Sequence, residues 1–219
     1  ALMNRTPKYP TSTMASSSSG RSPTEALRHG KPLLRYDHTS FEFTEGKPLL
    51  HDVNLDVWPG EIVLVRGPSG SGKSTLLALA SRLYEPTSGT VQFSGKDVRD
   101  WNPKLLRQLV GVVPQDVVLF EGTVADNISY GLDLAEDDKI RAAAQKCGAD
   151  SFIDTLPQKF ETRVEERGGN LSGGQKKLIG LARAMMRNPS VLILDEALTG
   201  LDTETESRVA QALKSLSTT

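Results

Sequence analysis

From Leu33 onward the chain falls into a strand-like rhythm. Apolar and polar residues alternate over 34–44 and again over 50–57, where Leu50, Val53, Leu55 and Val57 bracket polar neighbours. A period of two marks strands with one buried face. Pro59-Gly60 then signals a turn. The run EIVLVR at 61–66 reads as a buried strand, a glycine-rich loop follows, and 73–83 reads as a helix. Short strands are predicted at 90–93, closed by Ser94-Gly95, and at 110–113, closed by Pro114, with a short helix at 105–109 between them. Helices are predicted over 123–130, 136–147, 150–156 and 172–187, the last carrying Leu178, Leu181, Ala182 and Met185 on one face. The run VLIL at 191–194 is apolar on both faces, as in a parallel strand covered on both sides, and 203–216 returns to a helix. Strands alternating with helices after an all-strand start predict an α/β fold with an antiparallel β appendage.

Residues 1–30 differ. They are rich in Ser, Thr, Pro and Arg, have no acidic residue before Glu25, and bury too little apolar surface to order themselves. A linker is the expected reading, in preference to a transit peptide, because residues precede Met14 and no amphipathic pattern is visible. No stretch approaches the ~20 apolar residues of a membrane span. With Ala1 first and Thr219 inside a helix-like pattern, both ends read as cut.

The 219 residues suit one domain, with room for a subdomain. The net charge of −1 argues against nucleic-acid binding but leaves open a small anionic ligand held by one local loop. The single cysteine, Cys147, allows no internal disulfide and is expected to fill a helix end.

One loop does have anion-binding chemistry. Gly67, Pro68, Ser69, Gly70, Ser71, Gly72, Lys73, Ser74 and Thr75 fit the pattern G-x-x-x-x-G-K-[ST]. Successive inward N–H groups form a nest for phosphate oxygens, and glycines permit the positive dihedrals it needs. The helix beginning near Lys73 adds its positive end. Lys73 would meet the β- and γ-phosphates, and the Ser74 hydroxyl would meet Mg²⁺. By chance the pattern arises in a chain of this length about 1% of the time, and here it sits between a predicted strand and a predicted helix.

A second constellation closes the apolar strand at 191–194. Asp195 and Glu196 lie at its carboxyl end, where open α/β sheets bind ligands. Asp195 is placed to hold the Mg²⁺ shell and Glu196 to orient or deprotonate an attacking water.

Leu171-Ser172-Gly173-Gly174-Gln175 resembles the signature of the ATP-binding cassette family. Physically it is a helix N-terminus capped by Ser172, a second anion-binding end. The resemblance implies that Ser172, Gly173, Gly174 and Gln175 contact ATP held by the other cassette of a head-to-tail dimer. It extends to Gln115, similar to the family's glutamine loop at Mg²⁺ and the attacking water, and to Asp202, at the end of the loop that crosses to the partner. Phe43 matches the family's adenine-stacking aromatic, and a plain strand residue is the alternative. The segment from Val118-Leu119-Phe120 through Asn127-Ile128 is similar to exporters of the multidrug and peptide type, and Glu166-Arg167-Gly168 to the exporter loop that touches the membrane domain.

The family resemblance covers residues 33–219. It implies an α/β P-loop NTPase (RecA-like) core, an antiparallel β subdomain, an inserted α-helical subdomain at about 116–187 and a truncated C-terminus. ATP and Mg²⁺ are the implied ligands. The implied partners are a second cassette and a transmembrane domain, with the cassette on the cytoplasmic, matrix or stromal face of a membrane. The implied activity is transport-coupled ATP hydrolysis. A soluble ATPase of the same family, or a binding-only cassette with little turnover, is the alternative. There are departures. Leu198-Thr199-Gly200-Leu201-Asp202 stands where exporters more often have Thr-Ser-Ala-Leu-Asp, and Lys176-Lys177 replaces a more usual Arg-containing pair. The family's downstream histidine has no counterpart, since His29, His38 and His51 all precede the phosphate loop. Hydrolysis by this chain alone is therefore expected to be slow.

Overall fold

The computed structural model describes residues 30–132 and 134–217; the expected linker, apart from Gly30, lies outside them. The alternating segments form a long antiparallel hairpin, β1 (Leu34–Thr44) and β2 (Lys47–Val57), in the register Leu34↔Val57, Tyr36↔Leu55 and Phe41↔Leu50. Leu34, Tyr36, Phe41 and Leu50 face the core, whereas Arg35 and Asp56 pair across the outer face through two contacts of 2.6 and 2.7 Å. β3 (Ser88–Phe93) lies along the other side of β1, and β4 (Lys96–Asp97) completes the order β2-β1-β3-β4. The ladder between β1 and β3 shifts between Asp37 and Ser40, where a Cβ at Gly89 (φ 73°) would run into the His38 carbonyl. Only glycine fits that close approach.

Helix α1 (Lys73–Ala80) packs Leu76 and Leu79 against this sheet, in one apolar cluster with Tyr36, Val91 and Phe93. Tyr36 donates its hydroxyl to the Leu76 carbonyl at 2.8 Å, and burial raises its pKa. The cluster continues through Leu106 of α2 (Pro103–Leu109) to Val110 and Ile193. These last two belong to a parallel pair, β5 (Val110–Val113) and β8 (Val191–Leu194), in the register Val110↔Val191 to Val113↔Leu194.

Between β5 and β8 the chain builds a second apolar cluster. It holds the β6/β7 pair (Gly122–Thr123 and Arg163–Val164) and the helices α3 (Val124–Ile128), α4 (Asp137–Lys146), α5 (Asp150–Ile153) and α6 (Gly173–Met186). Helix α7 (Thr203–Ser217) follows β8 and contributes Val209. Val110 belongs to the first cluster and Val113 to the second, so the parallel pair lies between the two cores.

Two expectations fail. The run 61–66 forms no strand: Ile62, Val63 and Leu64 are exposed, Leu64 by 69%, and only Val65 joins the core. An apolar run becomes a strand only where a neighbour supplies ladder hydrogen bonds. Among the described residues β8 pairs with β5, and no strand pairs with 61–66. The same lack of neighbours leaves Val191, Leu192 and Leu194 half-buried, with Ile193 alone fully covered, so β8 is not sealed on both faces. The predicted helices over 73–83, 123–130 and 150–156 are also shorter in the fold, ending at Ala80, Ile128 and Ile153.

Leu79 is fully buried where α1 meets the sheet. Leu79→Ala is expected to destabilise the fold by about 2–5 kcal/mol through lost transfer energy and a residual cavity. A urea titration followed by circular dichroism measures this.

Candidate active site

The phosphate loop enters α1 through Gly72, the N-cap, at φ 91°. A Cβ there would stand 2.8 Å from Leu50 Cδ2, so both dihedral and space call for glycine. The helix has no side-chain cap and no acidic residue in its first turn. Its positive end and free N–H groups are thus left for an external anion. Lys73 arches back over the loop and donates to the carbonyls of Gly67 and Pro68, each at 3.0 Å, while Ser71 N donates to the Pro68 carbonyl at 3.3 Å. Ser69, Gly70 and Ser74 are exposed, and Thr75 is buried beneath them.

The second constellation is set by strand register. Asp195 N donates to the Val113 carbonyl at 3.0 Å, carrying the β5–β8 ladder one step past Leu194. Gln115 and Asp195 therefore leave the sheet at the same end, Gln115 exposed and Asp195 half-buried. Glu196 follows, exposed, with its backbone in the left-handed region at φ 51°. Ile193 shares a cluster with Leu76 and Leu79, so α1 and β8 rest on the same core. Ser74, Gln115 and Asp195 offer only hydroxyl, amide and carboxylate oxygens, the hard donor set that Mg²⁺ prefers.

The third constellation is the tip of α6. Ser172 Oγ accepts from Gln175 N at 3.2 Å, and Gln175 Oε1 accepts from Ser172 N at 2.9 Å, a reciprocal capping box. Gln175 is thus the cap's second half. Ser172 and Gly173 are exposed, and a Cβ on Gly173 would meet nothing within 4 Å, leaving the tip open to an anion. Among the described residues no hydrogen bond or ion pair joins 172–175 to 67–75.

The remaining predicted residues lie at the edges. Phe43, 54% exposed at the end of β1, stands edge-on to Phe41 (4.8 Å) and to Tyr84 (5.3 Å). Nothing local in the sequence links Tyr84 to a strand some forty residues earlier. The Asp202 carboxylate accepts from Thr205 N at 2.9 Å and Thr205 Oγ1 at 2.6 Å, bonds that hold its pKa below the usual range. It serves here as a cap for α7. Cys147 closes α4, fully buried, and burial pushes its thiol up to about 12, so it is a helix-end filler as expected.

Two cations of α6 hold loops near the site, and no local pattern in the sequence marks either role. Arg183 of α6 donates to the Val118 and Asn127 carbonyls and to Asn127 Oδ1, beneath the stacked rings of Phe120 and Tyr130 (4.2 Å). Asn127, itself buried, clasps both the N–H and the carbonyl of Phe120. Together they fix the segment that follows Gln115. The other cation is Lys177, which donates to the Glu196 and Thr199 carbonyls at 3.0 and 2.6 Å.

The ABC transporter family model matches residues 50–199. The chain belongs to the ABC transporter family. This membership brings the P-loop NTPase fold: an α/β core with an antiparallel sheet. Among ABC transporter relatives, it is 43% identical over 184 residues to the uncharacterized ABC transporter ATP-binding protein YwjA of Bacillus subtilis, covering 84% of this chain and 32% of that one. It is 41% identical over 187 residues to human ATP-binding cassette sub-family B member 6, covering 85% and 22%. A solved bacterial Atm1-family ABC exporter with ATP bound superposes with a TM-score of 0.80 at 37% identity, covering 86% of this chain and 33% of that one. The chain thus spans between about a fifth and a third of the length of these ABC transporter relatives. Among its described residues no helix is long and apolar enough to cross a membrane.

Proposed function

We propose that this chain is the nucleotide-binding cassette of an ABC exporter, binding and hydrolysing ATP to drive transport by a membrane domain. The observation that carries this reading is the division of the chemistry. An uncapped, cation-bearing loop and an acidic strand end share one core, while a second open helix tip, among the described residues, forms no hydrogen bond or ion pair with that loop. One chain offers two halves of a site, which two cassettes placed head to tail would make whole.

In this reading the amides from Gly67 to Thr75 and the Lys73 ammonium bind the triphosphate, and Phe43 stacks on the base. Ser74, Gln115 and Asp195 would hold Mg²⁺, which when bound offsets charge on the phosphate oxygens. Glu196 takes a proton from the attacking water, and Gln115 orients that water. Ser172, Gly173, Gly174 and Gln175 present their helix end to the nucleotide on the partner cassette, and Asp202 lies beside the crossing loop. Similarity to the Atm1-family exporter named above, and to a putative multidrug export ATP-binding/permease protein of Staphylococcus aureus (43% identity over 199 residues), supports the transport class.

Calorimetric titration with Mg-ATP tests this reading. One nucleotide per chain is expected, with affinity falling when EDTA removes the metal. No heat of binding in Mg-ATP would reject it, and co-sedimentation with ribosomes instead of membranes would favour a soluble ATPase of the family.

A further inference from the structure

Two adjacent lysines near the tip of α6 each grip the carbonyl of a residue in the left-handed region. Lys176 Nζ donates to the Arg167 carbonyl at 3.0 Å, and Arg167 has φ 53°. Lys177 Nζ donates to the Glu196 carbonyl, also at 3.0 Å, and Glu196 has φ 51°. A side chain at such dihedrals crowds its own backbone, and the conformation persists only where the surroundings over-determine it.

At Glu196 those surroundings are visible. Its carbonyl also accepts from Thr199 Oγ1 at 2.7 Å and Thr199 N at 3.2 Å. The other two Lys177 donors go to the Thr199 carbonyl at 2.6 Å and to Thr199 Oγ1 at 2.8 Å. All three ammonium donors therefore close on one turn. The acceptors are carbonyl and hydroxyl oxygens, so what the lysine supplies is geometry and not the neutralisation of a carboxylate. The same helix tip packs on the turn's far end, where the Cβ position of Gly174 lies 3.2 Å from Leu201 Cδ2.

We propose that Lys177 is a positioning residue for Glu196. It locks the turn after β8 in the one conformation that aims the carboxylate, and it does so from the helix whose tip serves the partner's nucleotide. The inference rests on the proposed function for the role of Glu196, but the tether itself does not.

The test compares wild type, Lys177→Met and Lys177→Arg in the full chain. Methionine keeps an apolar stem of similar reach and removes the donors. Amide exchange at 197–201 is expected to rise about 10- to 100-fold in Lys177→Met, with exchange in α1 unchanged. The single-turnover rate for bound ATP is expected to fall about tenfold or more while the Kd for Mg-ATP stays within about twofold. Lys177→Arg should restore most of both. Unchanged exchange overturns the tether; a normal hydrolysis rate, or a rate loss matched by a loss of binding, overturns the positioning role. Should Lys177→Met fail to fold, Thr199→Val, which removes the hydroxyl rung, is judged by the same criteria. A wild-type chain that binds no Mg-ATP would reject the functional reading and with it the catalytic role, while the exchange comparison still decides the tether.

Discussion

Lys73→Ala is expected to weaken Mg-ATP binding by about 100-fold. Lys73 is the only cationic side chain between Gly67 and Thr75, and it sits at the uncapped positive end of α1. Its ammonium now rests on two neutral carbonyls, Gly67 and Pro68, at 3.0 Å. In the proposed function a triphosphate would replace those partners by charged oxygens at little conformational cost. Hydrogen bonds to a charged group contribute about 1.5–3 kcal/mol, or roughly one to two powers of ten in affinity. The rest of the loss comes from field, since the nest keeps its amides but no longer has its point charge. Stability should change little, because Lys73 is half-buried and bonds only within its own loop. Calorimetry gives the affinity and a thermal melt gives the control. A loss below about threefold would be too small for a charge-assisted contact of this kind.

Glu196→Gln should do the opposite to binding and more to chemistry. The amide matches the carboxylate in size but cannot take a proton, so hydrolysis is expected to fall by about 10²–10⁴. Removing a negative charge beside a bound triphosphate also favours the nucleotide-held state. The substitution spares the contacts that shape the turn, because Lys177 and Thr199 bond the Glu196 carbonyl and not its side chain. The expected result is full ATP binding, near-zero phosphate release and a dimer on gel filtration with ATP. A monomer under those conditions would count against closure of two cassettes on the nucleotide.

The motifs and the local elements were legible, because their causes are local. β1, β5 and β8 have the bounds that alternation and apolar runs predict. Ser172 caps its helix because a Ser three residues before Gln at a helix start is a sufficient signal. Segment 61–66 misled because its pattern describes what a strand would bury, while the strand itself depends on a partner elsewhere. The hold of Lys177 on residues 19 and 22 positions away follows from how α6 meets the turn after β8, which no spacing encodes. The Phe41, Phe43 and Tyr84 cluster likewise appears only once the hairpin has folded over the end of α1.

A mixing experiment tests most directly the proposal that two cassettes share a nucleotide site. In a Glu196→Gln background, chains carrying Lys73→Ala lack a working loop, and chains carrying Ser172→Arg have a blocked helix tip. Neither should dimerise alone with Mg-ATP. Mixed, they are expected to form dimers holding one nucleotide for each pair of chains, because the intact loop of one meets the intact tip of the other. No dimer in the mixture, or ATP-dependent dimers of the Ser172→Arg chain by itself, would contradict a site built from two copies.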